Sequence, residues 1–188
     1  MQLQIAGAGE RNKRSCMSTI DHGGGGTGGR RKKHPTEKEE VILHPRDLKI
    51  AWGSDGTQWK IEHSNDEQNS YAEAVKVIWF EVKATYKNAK RGSKYNIGFN
   101  ISLKSEAFGW ESSPVFLMAK VGESGSYTWK RLYLTDMEAE KPFNIPDNFE
   151  IVIPITAKDT TLQFGLYEIW GGRWKGGLCI HHAYVTKV

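Results

Sequence analysis

The sequence predicts an all-β protein built as an antiparallel β-sandwich. From about residue 41 onward, short runs rich in β-branched and aromatic residues alternate with turn residues. The same region has no long apolar pattern at helical spacing. With 188 residues, of which 38% are hydrophobic, the chain is long enough for one domain with a sizeable core. Frequent turns between short strands favour a sandwich over a helix-covered parallel sheet.

Nine strands are predicted in chain order. The run at 95–103 shows the pattern best, because Tyr, Ile, Phe, Ile and Leu alternate with Asn, Gly and Ser, as in a strand with one buried face. Residues 64–74 are mostly polar and predict a loop, with one helical turn around 71–74. The predicted strands lie near 48–52, 58–62, 75–86, 94–103, 114–121, 127–134, 149–156, 161–169 and 177–187.

The composition of residues 1–40 predicts a disordered, glycine-rich basic tail, followed by a domain at 41–188. The glycine run at 23–29 loses too much backbone entropy on ordering to form a helix or strand. A basic cluster follows at 30–33, and residues 1–36 carry seven Lys or Arg against two acidic residues. The whole chain is +4, so the domain is near neutral. The cluster can act as a nuclear-import signal, as an RNA-attracting patch or as a solubilising tail.

The two cysteines and the hydropathy indicate whether the chain carries disulfides, a membrane helix or a secretory signal. Cys179 lies in an apolar strand and is predicted to be a buried small hydrophobe, whereas Cys16 lies in the tail and is either inert or able to cross-link chains. No apolar run approaches the ~20 residues of a membrane helix, and the first residues lack the pattern of a secretory signal. A chain without a secretory signal and without a disulfide framework is expected.

Two segments place tryptophans beside turn residues. At 52–59 a Trp stands at each end of Gly, Ser, Asp, Gly and Thr, and at 168–177 two Trp alternate with pairs of glycines. Indole faces can stack on a sugar ring, and carboxylates can accept hydrogen bonds from its hydroxyls. We therefore expect the two turns to form a shallow carbohydrate-binding groove. Its candidate contacts are Trp52, Ser54, Asp55, Trp59, Glu168, Arg173, Trp174 and Lys175.

The other tryptophans receive different interpretations. Trp79 and Trp129 lie within predicted strands and are expected to pack in the core or against a sheet. Trp110 is a weaker loop candidate for ligand contact, and Trp170 can serve either role.

Catalytic and metal chemistry find little support in the sequence. A glycosidase needs two carboxylates flanking the bond, one of them kept protonated, and Asp55 lies in a polar turn. His181 and His182 are adjacent, so on a strand they point to opposite faces and cannot chelate one ion. No serine or cysteine lies in a known nucleophile motif. We expect no enzyme activity, no metal and no cofactor.

Three blocks of residues resemble one family. The block Ile50–Asp55 with Trp59 downstream, the block Phe108–Trp110 before Pro114, and the block Leu166–Leu178 occur in the order found in the phloem protein 2 family of plant lectins, which includes the Nictaba-type lectins. The resemblance covers roughly residues 41–188 and is greatest to the small phloem lectins of cucurbits. The tail is outside it.

The resemblance implies a jelly-roll-like sandwich that binds chitin oligomers, and in some members the chitobiose core of N-glycans. The binding tryptophans of the family match Trp52 and Trp59, and its C-terminal motif matches Glu168 and Trp174. It also implies a homodimer, a cytoplasmic or nuclear location, presence in sieve-element sap, and association with RNA and a phloem filament protein. The alternative function is an RNA- or protein-binding phloem component that acts through the basic tail.

Overall fold

Two antiparallel β-sheets face each other and confirm the predicted sandwich. The computed structural model describes residues 39–62 and 70–188. The first sheet has seven strands: β1 (Glu40–Leu43), β3 (Trp59–Glu62), β4 (Tyr71–Ala74), β6 (Lys94–Phe108), β9 (Phe143–Ile145), β10 (Glu150–Val152) and β12 (Gly176–Lys187). The second sheet has five: β2 (Lys49–Ile50), β5 (Phe80–Tyr86), β7 (Val115–Val121), β8 (Thr128–Leu132) and β11 (Leu162–Glu168). A short 3-10 helix, Pro45–Asp47, connects β1 to β2.

The two longest strands form the centre of the seven-stranded sheet. β6 and β12 pair along most of their length. On its other edge, β12 pairs first with β4 and then with β1, while β6 pairs with β10 and β9. β3 continues the sheet beyond β4. Two long strands thus each hold two short ones in line, and the sheet remains continuous despite several short segments.

The five-stranded sheet has the order β2–β5–β11–β7–β8. Its central strand, β11, pairs with β5 on one edge and with β7 on the other. Alternate residues of these strands are buried, as the period of a strand with one core face requires. Val82, Leu117 and Leu166 are among those that point inward.

Aromatic pairs join the two sheets across the core. Phe99 of β6 meets Phe164 of β11 with ring centroids 5.6 Å apart, and Trp59 of β3 stacks on Phe80 of β5 at 5.8 Å. Such pairs add roughly 0.5–1.5 kcal/mol beyond their area burial. They hold the sheets together at both the middle and one end.

Several predicted elements differ from the structure. Tyr71–Ala74, predicted as a loop with a helical turn, is strand β4, because pairing with β3 and β12 on both edges outweighs its weak strand propensity. The predicted strand at 75–86 begins only at Phe80. β1 and β9 were not predicted. The predicted tail at 1–40 lies outside the described residues except for its last two, and Glu40 already begins β1.

Two tryptophans predicted to pack in the core or against a sheet lie outside the core. Trp79 is 44% and Trp129 is 54% exposed. Trp129 lies on β8 opposite Met118, on the side of the sheet that faces away from the core. Period-two spacing shows that a strand has two faces, but it does not show which face is covered.

Candidate functional site

Two turns and the segment between them meet at one end of the sandwich. We name residues 52–59 the first turn and residues 75–79 the connecting segment. The carbonyl of Gln58 accepts hydrogen bonds from the amides of Val75 at 2.8 Å and Lys76 at 3.3 Å. These bonds replace the strand pairing predicted for the start of 75–86, and they fix the first turn against the connecting segment.

The connecting segment also contacts residues 168–177, which we name the second turn. Val77 and Lys175 exchange backbone hydrogen bonds of 2.8 and 2.9 Å. The ammonium group of Lys76 lies 5.0 Å from the ring centroid of Trp174, in cation–π contact. The two turns therefore belong to one surface, but the connecting segment lies between them, where the sequence predicted a groove formed by the turns alone.

Asp55 organises the first turn. Its Oδ1 accepts hydrogen bonds from the amide (2.9 Å) and hydroxyl (2.7 Å) of Thr57, and its Oδ2 accepts one from Gln58 Nε2 at 3.0 Å. These hydrogen bonds hold the pKa of Asp55 below its usual value. The carboxylate is thus mainly committed to the turn itself. Ser54 lies beside it and is exposed.

Trp52 is the most exposed indole among the described residues, at 63%. Its φ is +61°, a left-handed conformation that is costly for a residue with a bulky side chain. The amide of Asp55 donates to the Trp52 carbonyl at 2.9 Å, which closes the turn around this strained residue. This conformation destabilises the turn but presents an aromatic face to solvent. Such strain is typical of functional positions.

Trp59, at the other end of the first turn, lies in the core. Only 2% of it is exposed, and its ring stacks on Phe80. It is the first residue of β3, so its side chain follows the inward face of that strand. The sequence prediction paired it with Trp52 as a ligand contact, but in this structure its indole has no free face for a sugar.

Glu168 and Lys175 form a buried ion pair at the base of the second turn. Their side chains are 4% and 0% exposed, and Lys175 Nζ contacts Glu168 Oε2. Lys175 also donates to the carbonyl of Ile78 at 2.7 Å, and Glu168 Oε1 accepts from the amide of Gly171 at 2.8 Å. Both predicted ligand contacts are therefore engaged inside the protein, where they fix the turn that carries Trp174.

Gly171 is the residue that lets the second turn close over this pair. A Cβ at this position would lie 2.5 Å from Glu168 Oε1 and 3.3 Å from Ser113 Oγ. Beyond it, Arg173 is exposed, and its Nη1 donates to Ser112 Oγ at 2.8 Å. Trp174 is 51% exposed. The outer half of the turn thus presents a guanidinium and an indole above a rigid, buried base.

Sequence reasoning missed part of this surface. Trp79 stands at the end of the connecting segment, and its Nε1 donates to Glu81 Oε2 at 2.7 Å, which orients the exposed ring. Burial opposes the charge of Glu81, but hydrogen bonds from Lys83 and Trp79 outweigh it and lower its pKa. Conversely, Trp110 is buried, and its Nε1 donates to the carbonyl of Gly176 at 2.8 Å.

The surface carries an unusual density of exposed apolar side chains. Outside Trp52, Trp79 and Trp174, the exposed large hydrophobic residues of these segments are Val75, Ile78 and Trp170, and Phe108 at the end of β6 pairs with Gly176 of the second turn. Apolar residues gathered on one exposed patch mark an interaction site more often than isolated ones do. We name the surface formed by Trp52, Ser54, Lys76, Trp79, Arg173 and Trp174 the loop surface.

Metal-binding clusters and membrane-spanning helices are absent from the described part of the chain. There, no group of three or more His, Cys, Asp and Glu is arranged to hold a metal ion, and no helix has the length and apolarity of a membrane span. Cys179 is a free, buried thiol, as predicted from its apolar strand, and burial raises its pKa to about 11. Such a thiol is a poor nucleophile at neutral pH.

This chain is similar to known proteins both in fold and in sequence. In fold, the chain is similar to a structure described as the GH26-CBM35 β-(1,4)-mannanase of Podospora anserina, with a TM-score of 0.50 and 6% identity, over 79% of this chain and 28% of that one. At that identity the likeness concerns the fold alone.

Two relatives from Arabidopsis thaliana match in sequence. Phloem protein 2-like A9 is 42% identical over 159 residues, which is 78% of this chain and 87% of the relative. Phloem protein 2-like A1 is 22% identical over 144 residues, 74% of this chain and 58% of the relative. The family model described as Phloem protein 2 matches residues 38–186, which include both turns, the connecting segment and every strand except the last residue of β12. The resemblance noted in the three sequence blocks is thereby confirmed, and the chain belongs to the phloem protein 2 family.

Proposed function

We propose that this chain is a non-catalytic lectin that binds chitooligosaccharides, chains of N-acetylglucosamine, on the loop surface. The observation that carries the proposal is the exposure of Trp52 and Trp174 at 63% and 51% on turns whose carboxylates, Asp55 and Glu168, accept hydrogen bonds from the turns themselves. Exposed rings on rigid turns can bind a ligand at little cost in conformational entropy. Membership of the phloem protein 2 family, with the lectin function expected from that resemblance, supports a glycan as the ligand.

In the proposed complex, the two indoles act as platforms. The apolar face of one sugar ring lies on Trp52 and that of a neighbouring ring lies on Trp174, each contact adding roughly 0.5–1.5 kcal/mol beyond area burial. Arg173 and the Ser54 hydroxyl supply hydrogen bonds to hydroxyl or acetamide groups at the ring edges. Asp55 contributes with the acceptor capacity that Thr57 and Gln58 leave on Oδ2.

Glu168 and Lys175 have an indirect role in this proposal. Because both are buried and paired with each other, they act by positioning the second turn and not by touching the sugar. The same pairing argues against a glycosidase, since the general acid of such an enzyme has to face the bond it protonates. Trp59 likewise acts as core support for the first turn.

The test is a calorimetric titration with chitotriose, with galactose as the control sugar. Saturable binding of chitotriose alone is expected. Trp52→Ala and Trp174→Ala should each weaken it at least about tenfold, because each removes one ring platform. Trp129→Ala is the matched control: it removes an indole of similar exposure, 54%, from β8, outside the loop surface, and it should leave the affinity unchanged.

Two results would contradict the proposal. Equal binding of galactose would remove the specificity for N-acetylglucosamine chains. Unchanged chitotriose affinity in folded Trp52→Ala and Trp174→Ala variants, with circular dichroism as the folding control, would remove the loop surface as the site. Conversion of chitotriose to shorter sugars would show an enzyme instead.

The expectations about partners and location are also proposals. We propose a homodimer and a phloem location, on the strength of the family alone. RNA or filament-protein binding through the basic tail concerns residues outside the described part. Removal of residues 1–36 separates the two functions, because a lectin keeps its sugar affinity whereas tail-driven RNA binding is lost together with its salt dependence.

A further inference from the structure

The outward face of the five-stranded sheet carries features that the loop surface does not use. Residues paired across the strands lie on the same face. One row runs through Lys49, Lys83, Gly165, Met118 and Trp129, and the next runs through Glu81, Tyr167, Phe116 and Arg131. The buried residues between them, such as Val82 and Leu117, point to the core. These two rows are therefore the solvent side of the sheet.

A groove of about 310 Å³ crosses this face. Apart from backbone, it is lined by Lys49, Lys83, Thr85, Tyr127, Gln163 and Tyr167. Gly165 explains part of the depression: a Cβ there would lie 3.1 Å from the Tyr167 ring and 3.2 Å from Lys83 Cγ, so the absence of a side chain lets both neighbours fold over it. The lining is mostly polar, and Ala84 and Phe164 complete it.

Tyr167 supplies a hydrogen-bond donor to this groove. It is 9% exposed, yet its hydroxyl makes no hydrogen bond to another described residue. Burial, with Tyr127 and Glu81 nearby, raises its pKa well above the usual value, so the hydroxyl stays protonated and can donate. The hydroxyl lines the groove and can donate to a ligand oxygen there.

The charge of the face is uneven. Four cations stand on it, Lys49, Lys83, Lys120 and Arg131, against the single carboxylate of Glu81. Lys83 is paired with Glu81 at 2.5 Å, whereas Lys49 makes no ion pair with a described residue and lines the groove. A face with this balance attracts an anion, and the groove places a free ammonium group next to the neutral donors.

An aromatic ridge borders the groove. Phe116 makes edge-to-face contacts with Trp129 at 5.7 Å and with Trp170 at 5.2 Å. Both indoles remain more than half exposed, at 54% and 60%. Tyr127, half-exposed, stands under the ammonium group of Lys120 at 5.3 Å. Flat rings beside hydroxyl and amide groups suit sugar rings, which present an apolar face and polar edges.

We propose that this outward face is a second binding surface that takes a linear acidic oligosaccharide. Its uronate carboxylates meet Lys49 and Lys83, its hydroxyls meet Gln163 and the two tyrosine hydroxyls, and its rings lie along Tyr127 and Trp129. A nucleic acid fits less well, because affinity for it grows with the number of phosphates neutralised, and the groove itself offers only two lysines. The proposed contacts of this surface are different residues from those of the loop surface.

The experiment compares two matched ligands on the full chain. Oligogalacturonate is titrated at low salt beside the same oligomer with every carboxyl methyl-esterified, which keeps the rings and removes the charge. The acidic oligomer is expected to bind, and the ester to bind at least about tenfold more weakly. Lys49→Gln and Tyr127→Ala should each weaken binding of the acid several-fold. Lys187→Gln, on β12 of the other sheet, is the matched charge control and should have no effect.

The outcomes separate this surface from the loop surface. Trp52→Ala should leave oligogalacturonate affinity unchanged, and Lys49→Gln should leave chitotriose affinity unchanged. Equal binding of acid and ester, or full affinity in folded Lys49→Gln and Tyr127→Ala variants, would overturn the proposal. A single-stranded oligonucleotide that binds more tightly than the acid, and loses affinity in the same two variants, would overturn it in favour of a nucleic-acid surface.

Discussion

Lys175 and Glu168 form an ion pair from which water is excluded, with side chains 0% and 4% exposed. Lys175 reaches it from the end of the second turn and also donates to the carbonyl of Ile78 at 2.7 Å. The pair therefore connects three pieces of chain: the end of β11, the second turn and the connecting segment. The exposed indole of Trp174 owes its position to this contact.

Removal of one partner of the Glu168–Lys175 ion pair should lower the free energy of unfolding. Lys175→Met leaves the Glu168 carboxylate buried and uncompensated, so the free energy of unfolding should fall by about 3–5 kcal/mol. Urea denaturation measures the loss. Lys60→Met is the matched control, because Lys60 pairs with Glu62 while 55% of its side chain is exposed, and its denaturation midpoint should not change. Equal effects of the two substitutions would contradict a structural role for the buried pair.

Trp59 should act on stability. Trp59→Ala opens a cavity beside Phe80 between the two sheets, and a loss of about 3–5 kcal/mol is expected. Thermal and urea denaturation check it. Trp170→Ala, with an indole that is 60% exposed, should change stability far less. A Trp59→Ala variant that stays as stable as Trp170→Ala and loses only sugar affinity would return Trp59 to the ligand contacts.

Two substitutions of Trp52 should differ in stability but not in binding. Its φ of +61° is costly for any residue with a Cβ but not for glycine. Trp52→Gly should therefore be about 1 kcal/mol more stable to urea than Trp52→Ala, while both variants lose chitotriose affinity equally. The two substitutions remove the same indole, so their difference isolates the backbone. A less stable glycine variant would show that the turn does not hold this conformation in solution.

Two histidines on β12 should make stability depend on pH. Burial lowers the pKa of His181 and His182 below 6.5, and for His182 the neighbouring His44 and His181 lower it further. The unfolded chain then binds more protons than the folded one below that value. The stability is fully present above pH 6.5 and is lost as pH falls through the folded-state pKa values.

Urea midpoints measured between about pH 7 and about pH 5 should fall toward acid. The double variant His181→Gln, His182→Gln should flatten that dependence, although it also removes the contact of 2.9 Å between Ser102 Oγ and His181 Nε2. An equally steep profile in the double variant would assign the pH dependence to other groups.

The sequence was informative where local patterns decide the structure. Alternation located the strand around Phe99, and glycine-bounded tryptophans located both turns. It failed where a distant partner decides. Ala72 and Ala74 lie in β4 only because β3 and β12 pair with them.

In the candidate site, too, local sequence patterns predicted some residues correctly and others incorrectly. Trp52 and Trp174 were identified by the turn residues around them, and both are exposed. Glu168 and Lys175 were predicted to contact the sugar, because charged residues in a glycine-rich turn usually face solvent. Only the folded chain brings them within reach of each other. A pairing of that kind, seven residues apart around a turn, has no local signature in the sequence.

The place of β12 in the sheet has a consequence for biosynthesis. β12 spans Gly176–Lys187 and pairs with β1, β4 and β6. On the ribosome, those three strands are made long before their common partner, so they leave the exit tunnel with unpaired edges that can join other chains. The seven-stranded sheet cannot close until residue 187 has emerged. A nascent chain of this protein is therefore expected to depend on chaperones until then, however stable the finished domain is.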